Sequence, residues 1–368
     1  MMSYYRKARI PPARLFLLAI CAVAVLGVAE ASKKFQEDPL LSRKIAAAQK
    51  MAAAMAAIKE EKLRTGGSIN PETDPNQTGL IGEEYNDLTT SLGSLTGKRT
   101  STNPNFAGLL VELLAEAGLK PGDPVAAHFS GSFPALNTAV LSAISVLQLK
   151  PAIISSVGAS TYGANDPDWT WLDMERVLRE KEIFPYSSFA ASLGGLVDSL
   201  GGREGNGMVW GKKAIERNQI PYLEERGYRT LPRDAEHRME IYSRALGGRK
   251  PAVFINVGGS LISMGERVQA LSISPGLSLR IPPSGYPDRG TLFRMNEMGV
   301  PVIHLLNVKK LARRYGLPVD PIPLPPIPSG RVMEQKRYSM PVVLAGLILL
   351  ALLLVVLRPY QTSTPVLK

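Results

Sequence analysis

The chain has 368 residues, a formal net charge of +11, three histidines and a single cysteine, Cys21. One cysteine excludes a disulfide-stapled domain. Because Cys21 lies in an apolar run, it also excludes a cysteine-based metal site or thiol nucleophile elsewhere. The fold must therefore rest on an apolar core, which this length permits. The cation excess suits lipid headgroups, an acidic polymer or nucleic acid, and equally a plain basic surface.

Residues 1–14 carry Arg6, Lys7, Arg9 and Arg14, and Leu15–Val28 is continuously apolar. This is the pattern of a membrane anchor over 15–31. It is also that of a secretory signal, with Ala29-Glu30-Ala31 as a small-x-small cleavage site. The anchor is preferred, because Glu30 and the helical run after it continue the segment without a turn. A second apolar run from Met340 to Leu357 has the length of a spanning helix. The basic N-terminus places residues 1–14 and the tail 358–368 in the cytoplasm and the body outside. Arg331, Lys336 and Arg337 before the second run oppose that orientation, and the first segment is taken to decide it. The expected localisation is the cell membrane, with an extracytoplasmic domain.

Within residues 32–64, Leu41, Ile45, Ala48, Ala52 and Met55 share one helical face. They predict a juxtamembrane helix that is a stalk, a partner surface or a cover for its own domain. Residues 65–104 are rich in Thr, Gly and Asn and read as irregular. Over 105–318, helices are predicted at Asn105–Gly118, Pro134–Leu149, Asp168–Lys181, Asp234–Leu246 (capped by Asp234), Asp288–Gly299 and Asn307–Tyr315. Strands are predicted at Pro124–Phe129, Ala152–Ser156, Ala252–Asn256 and Val302–Leu306. The alternation implies an α/β fold: a mostly parallel, Rossmann-like sheet with helices on both faces, flanked by two transmembrane helices. The Pro-rich residues 319–339 read as a stiff spacer before 340–357.

One internal echo stands out. Lys150–Ser160 reads KPAIISSVGAS and Lys250–Ser260 reads KPAVFINVGGS. Both are strand-to-loop junctions, and in open α/β sheets ligands bind at the carboxyl ends of strands. Three such corners supply candidate ligand-binding residues: Ser130, Gly131 and Ser132; Gly158, Ser160, Asn165 and Asp166; Gly258, Gly259 and Ser260. Gly permits close backbone approach, Ser supplies hydroxyls, and a following helix supplies amides suited to carboxylate or phosphate. Each corner taken alone is equally a tight turn.

Ser130 or Ser132 with His128 forms a candidate catalytic set, with Asp166 or Asp173 as orienting acid, but S-G-S-F-P is not a G-x-S-x-G elbow. His304, in an apolar strand, reads as a core histidine. His128, His237 and His304 lack metal-ligand spacing, so no metal is expected, although Asp166, Asp168, Asp173 and Glu175 lie close enough for Mg²⁺. Walker A and GxGxxG patterns are absent and no cofactor is expected. Basic clusters at Arg226–Lys250 and Lys309–Arg314 are solvated faces or a polyanion track. The Trp169–Trp171 pair is a site wall or core.

The strings TGLIGEEYNDLTTSLGSLTGKRTSTNPNFAGLLVELL, SGSFPALN and SSVGASTYGANDPDWTWLDME resemble the poly-gamma-glutamate system protein family of the PgsW type, from Thr78 to about Lys310. The resemblance implies a role in synthesis, export or anchoring of that capsule polymer. It also implies partnership with the poly-gamma-glutamate ligase and membrane subunits; nucleic acid is not expected as a partner, because the domain is placed outside the cell. It carries over no catalytic residues. The expected function is a membrane-anchored accessory component whose domain binds the polymer. A Ser-dependent amidohydrolase or transpeptidase, and a non-binding scaffold, are the alternatives.

Overall fold

The computed structural model describes residues 6–9, 11–32, 34–35, 38–195, 206–225, 230–265, 273–282, 289–333, 336–357 and 360–363. The chain divides into two units: residues 1–38 with 334–368, and residues 39–333.

In the first unit, helix α1 (Pro12–Ala31) packs against the last helix, Met340–Val356. The approach is close at Gly346, where a Cβ would stand 2.5 Å from Val25. The Tyr338 hydroxyl donates to Glu30 at 2.8 Å. Among the described residues α1 alone is long and apolar enough to cross a membrane. Met340–Val356 is apolar throughout but has 17 residues.

The second unit takes the elements in chain order. They are α2 (Leu41–Arg64), α3 (Leu95–Ser101), α4 (Asn105–Glu116), β1 (Pro124–Ser130), α5 (Pro134–Val146), β2 (Lys150–Ser156), α6 (Trp171–Glu180), β3 (Ala190–Ser192) and α7 (Gly207–Arg217). Next come α8 (Leu231–Ala245), β4 (Val253–Val257), α9 (Leu261–Met264), β5 (Gly276–Ser278), α10 (Thr291–Glu297), β6 (Val302–Leu305) and α11 (Val308–Tyr315). The six strands form one sheet in the order β5-β6-β4-β1-β2-β3. All pairings are parallel except β5 with β6.

The two echoed segments are β2 and β4, and they flank β1 from opposite sides. Alternation along each strand sorts the core. Val125, Ala127 and Phe129 of β1 join Ile153, Ile255 and Ile303 on the face covered by α2, α4 and α5. Ala126 joins Ile154, Phe254 and Val302 on the face carrying Tyr242 of α8 and Leu292 of α10. Both faces are covered, as a parallel sheet requires.

Several expectations change. Of the three readings of the helix at 41–64, the cover for its own domain holds. Its Ala47, Ala48, Met51, Ala54 and Ile58 are fully buried against α4 and α5. The expected spacer at 319–339 is packed onto the body as far as Met333. Arg99 pairs with Asp320, Asn76 donates to the Pro321 carbonyl at 2.8 Å, and Asn105 binds Pro326 and Ser329. Lys44, with no exposed surface, ties Glu112 (2.7 Å) to the Val332 carbonyl (2.8 Å). Proline stiffness thus holds a strap against the body, because its backbone carbonyls find donors there.

Helix α8 starts three residues before the expected cap, at Leu231, and Asp234 sits in its first turn accepting from the Thr230 hydroxyl at 2.7 Å. Helix α4 does end as expected. Gly118 takes φ 84°, and Leu119 donates to the Leu114 carbonyl. Residues 65–104, expected to be irregular, contain α3 and a short strand, Thr89–Ser91, that pairs in parallel with Ala159–Ser160.

Candidate functional site

Strand order reverses between β1 and β4. Loops leaving their carboxyl ends diverge there and open a crevice. A cavity of about 320 Å³ occupies that position. Ser130 at the end of β1 and Ser132 after it, Gly158 and Ser160 after β2, and Gly259 and Ser260 after β4 all line it. Residues far apart along the chain meet here because β2 and β4 are both neighbours of β1. The fourth wall is Thr90–Ser94, and Asn307 and Lys309 at the start of α11 also line the cavity.

Glycines let these corners close. Gly131 donates to the Ser156 carbonyl, and a Cβ at Gly131 would collide with the Val157 carbonyl oxygen. Gly258 takes φ 80°, and a Cβ there would lie 2.9 Å from Cβ of Ser130. Gly131→Ala is therefore expected to cost ~2–3 kcal/mol through backbone displacement and to loosen the Ser130–Ser132 corner. Thermal unfolding measures the first effect and ligand binding the second.

Asn165 and Asp166 do not reach the cavity. Asn165 is fully buried, accepting from the Glu83 amide (3.1 Å) and donating to the Glu83 carbonyl (2.8 Å). It anchors the segment that leads into the fourth wall. Asp166 accepts from the Asp168 amide in a turn. Among the described residues no group of His, Cys, Asp or Glu is arranged for a metal. Asp173 is bound by Arg217 (2.8 Å) and Asn218 (2.9 Å). Burial pushes its carboxyl up, but the bonds from Arg217, Thr170 and Asn218 outweigh that and hold it low. Glu175 accepts from the Ser188 amide and hydroxyl, both at 2.9 Å. Trp169 and Trp171 are core residues, Trp171 meeting Phe129 edge-on at 5.8 Å.

His128 is fully buried, and both ring nitrogens are engaged. Arg238 donates to Nδ1 at 3.1 Å, and Nε2 lies 3.0 Å from Ser260 Oγ. Arginine can only donate, so Nδ1 is the acceptor and Nε2 carries the proton. Burial, and then the Arg238 charge, push the imidazole well below its usual range. His128 is thus a neutral donor to Ser260. It has no lone pair left for Ser130 or Ser132, and the candidate catalytic set of those three is not assembled.

Ser260 Oγ accepts from His128 and from the Ser263 amide at 3.3 Å. Its own hydrogen remains to be donated. Behind His128, the Arg238 guanidinium forks onto Glu225 and donates to Ser192 at 3.1 Å. A buried line Glu225–Arg238–His128 therefore orients one cavity hydroxyl. His304 is a core residue, bonded to Asn256 at 3.0 Å and pushed down to about 4 by burial.

The residue that sequence reading missed is Lys98 of α3. It is 2% exposed. Its Nζ donates to the Ser132 carbonyl, lies 2.7 Å from Ser160 Oγ, and stands 4.2 Å from the Phe133 ring centroid. No carboxylate pairs with it among the described residues, and burial alone pushes the ammonium down to about 7. The Ser/Thr/Gly texture around Lys98 offers no periodic signal. All three of its partners lie at least 34 residues away.

No family model, no curated protein and no solved structure matches the chain.

Proposed function

We propose that the chain is a membrane-anchored accessory component of poly-gamma-glutamate assembly. Its second unit binds the polymer's carboxylates in the cavity at the β1/β4 crevice. The observation that carries this reading is the convergence of Ser130, Ser132, Ser160 and Ser260 in one glycine-walled cavity, with Lys309 also lining it. Hydroxyl donors, close backbone approach and a cation in the lining suit a carboxylate. Further cations, Lys310, Arg313 and Arg314, continue along α11.

The chain is tethered by α1 and by the C-terminal apolar helix, which we name α12 (Met340–Val356), with the body outside and the ligase and membrane subunits as partners. The basic residues before α1 support this orientation. The resemblance of Thr78–Lys310 to the poly-gamma-glutamate system proteins supports the choice of polymer.

The test is calorimetric titration of the full chain in detergent micelles with γ-linked glutamate oligomers. Binding should be measurable at low salt and weaken as salt rises. Ser260→Val should weaken it about tenfold, the loss of one hydrogen bond to charge, and Lys309→Gln should weaken it further and reduce its salt dependence. Absent binding, or binding indifferent to both substitutions, would refute the proposal.

A further inference from the structure

Lys98 and Ser160 form a pair that carboxylate binding does not require. Ser160 borders the cavity and rides a rigid piece of backbone. Residues 159–160 pair with Thr89–Ser91, and the Ser160 amide donates to Ser132 Oγ at 3.0 Å. Its hydroxyl faces Lys98 Nζ at 2.7 Å, and the Ser132 carbonyl fixes that amine from the other side. A carbonyl only accepts, so it takes an N–H of Lys98. In the neutral amine the lone pair is left for the Ser160 hydroxyl. Nucleophile, base and a third group orienting the base are the parts of an activated serine.

We propose that Ser160 is an acyl-accepting nucleophile and Lys98 its general base, acting on an amide or ester of a carboxylate-bearing acyl chain held in the cavity. That this chain is γ-glutamyl rests on the reading in the preceding subsection; the pair itself does not.

Among the described residues, no base faces the hydroxyls of Ser130, Ser132 or Ser260. Ser130 Oγ accepts from the Ser132 amide at 3.2 Å, Ser132 Oγ accepts from the Ser160 amide, and Ser260 Oγ accepts a hydrogen bond from His128. Around Lys98 stand the Ser160 hydroxyl, the Ser132 carbonyl and the Phe133 ring. The adjacent Arg99 is committed to Asp320. With burial as the one cause of its shift to about 7, Lys98 is part neutral at physiological pH.

The step balances without a cofactor. Neutral Lys98 takes the hydroxyl proton as Ser160 Oγ bonds to the carbonyl carbon. The resulting ammonium returns that proton to the leaving nitrogen or oxygen as its bond to carbon breaks, leaving an ester on Ser160. Water then attacks this ester, Lys98 takes the water's proton, the ester bond breaks, and Oγ regains a proton.

The experiment exposes the full chain in detergent to p-nitrophenyl acetate, following p-nitrophenolate release and mapping the acetyl group by mass spectrometry. The wild type should carry acetyl on the Ser160 peptide, at a rate rising about tenfold from pH 6 to pH 8, as a base titrating near 7 dictates. Ser160→Ala should abolish that adduct. Lys98→Met, its fold checked by thermal melting, should slow acylation at least ~100-fold. Ser160→Cys covers the case in which Lys98→Met does not fold. Its alkylation by iodoacetamide should show an inflection near pH 7 rather than that of an ordinary thiol at ~8.5.

No adduct on Ser160 in the wild type, an unchanged rate in folded Lys98→Met, or an ordinary thiol profile in Ser160→Cys would overturn the proposal. The ester contains no glutamyl group. Failed acylation with intact polymer binding would therefore refute this inference alone, and acylation without polymer binding would refute the binding reading alone.

Discussion

Glu225→Ala is expected to lower the stability of the body by ~3–5 kcal/mol, the cost of removing one partner from a buried ion pair. Arg238 has no exposed surface and Glu225 almost none. The substitution removes both oxygens onto which the guanidinium forks. The effect reaches the cavity, because the same guanidinium sets the tautomer of His128 and thereby the direction of the Ser260 hydroxyl. Urea unfolding of wild type and variant would measure the loss, and a change below ~0.5 kcal/mol, the size of an ordinary surface substitution, would contradict it. The double substitution Glu225→Leu with Arg238→Met should recover most of the stability, since an apolar pair avoids the desolvation cost of both charges. It should not recover ligand binding, because nothing then holds Nδ1 of His128 as an acceptor.

Lys98→Met is expected to act in opposite directions on stability and on function. Burial lowers the folded ammonium to about 7, against ~10.4 for an unfolded lysine. Below pH 7 both states hold the proton, and folding carries the whole cost of burying the charge. Between about 7 and ~10.4 the unfolded chain binds more protons, so wild-type stability rises with pH through that window. Methionine keeps the apolar stem without the charge, and its stability should lack this rise. At pH 6 the variant should be more stable by ~1–3 kcal/mol, the relieved burial cost being partly offset by the donor lost to Ser160 and Ser132. Thermal melts at pH 6 and pH 9 would show the two curves converging at the higher pH. A variant less stable than wild type at pH 6 would mean that Lys98 is a structural cation. A stabilising substitution that ends acylation is the signature of a group retained for function.

Much of the framework is readable along the chain. Hydrophobic periods locate α4, α5, β1, β2, β4 and β6 because each is a buried, regular element whose pattern follows from its own geometry. Less regular pieces escape this reading. Strands β3 (AAS) and β5 (GLS) are three residues long and contain no β-branched side chain. They pair only because a neighbouring edge is available. Helix α2 shows its apolar face in the sequence, but not what covers it. The Pro-rich strap looks like a spacer until Arg99, Asn76 and Asn105 are seen to hold it.

The same division runs through the site. Glycine and serine after a buried strand mark a corner wherever they occur, and so Ser130, Ser160 and Ser260 are visible in the sequence as three separate turns. Their meeting in one cavity comes from strand order, which short-range pattern does not encode. Asn165 and Asp166 sit in the same stretch of loop as Ser160 and carry equally polar side chains, yet the chain turns them toward Glu83 and Asp168.

By itself the sequence determined the class of sheet, the two apolar ends and the type of corner at each strand. Tertiary structure alone decided that His128 donates rather than accepts and that Lys98 is buried beside Ser160 with no carboxylate paired to it among the described residues. The physical reason is that protonation and hydrogen-bond direction depend on what surrounds a group in space. Those surroundings come from segments 34 to 132 residues away along the chain.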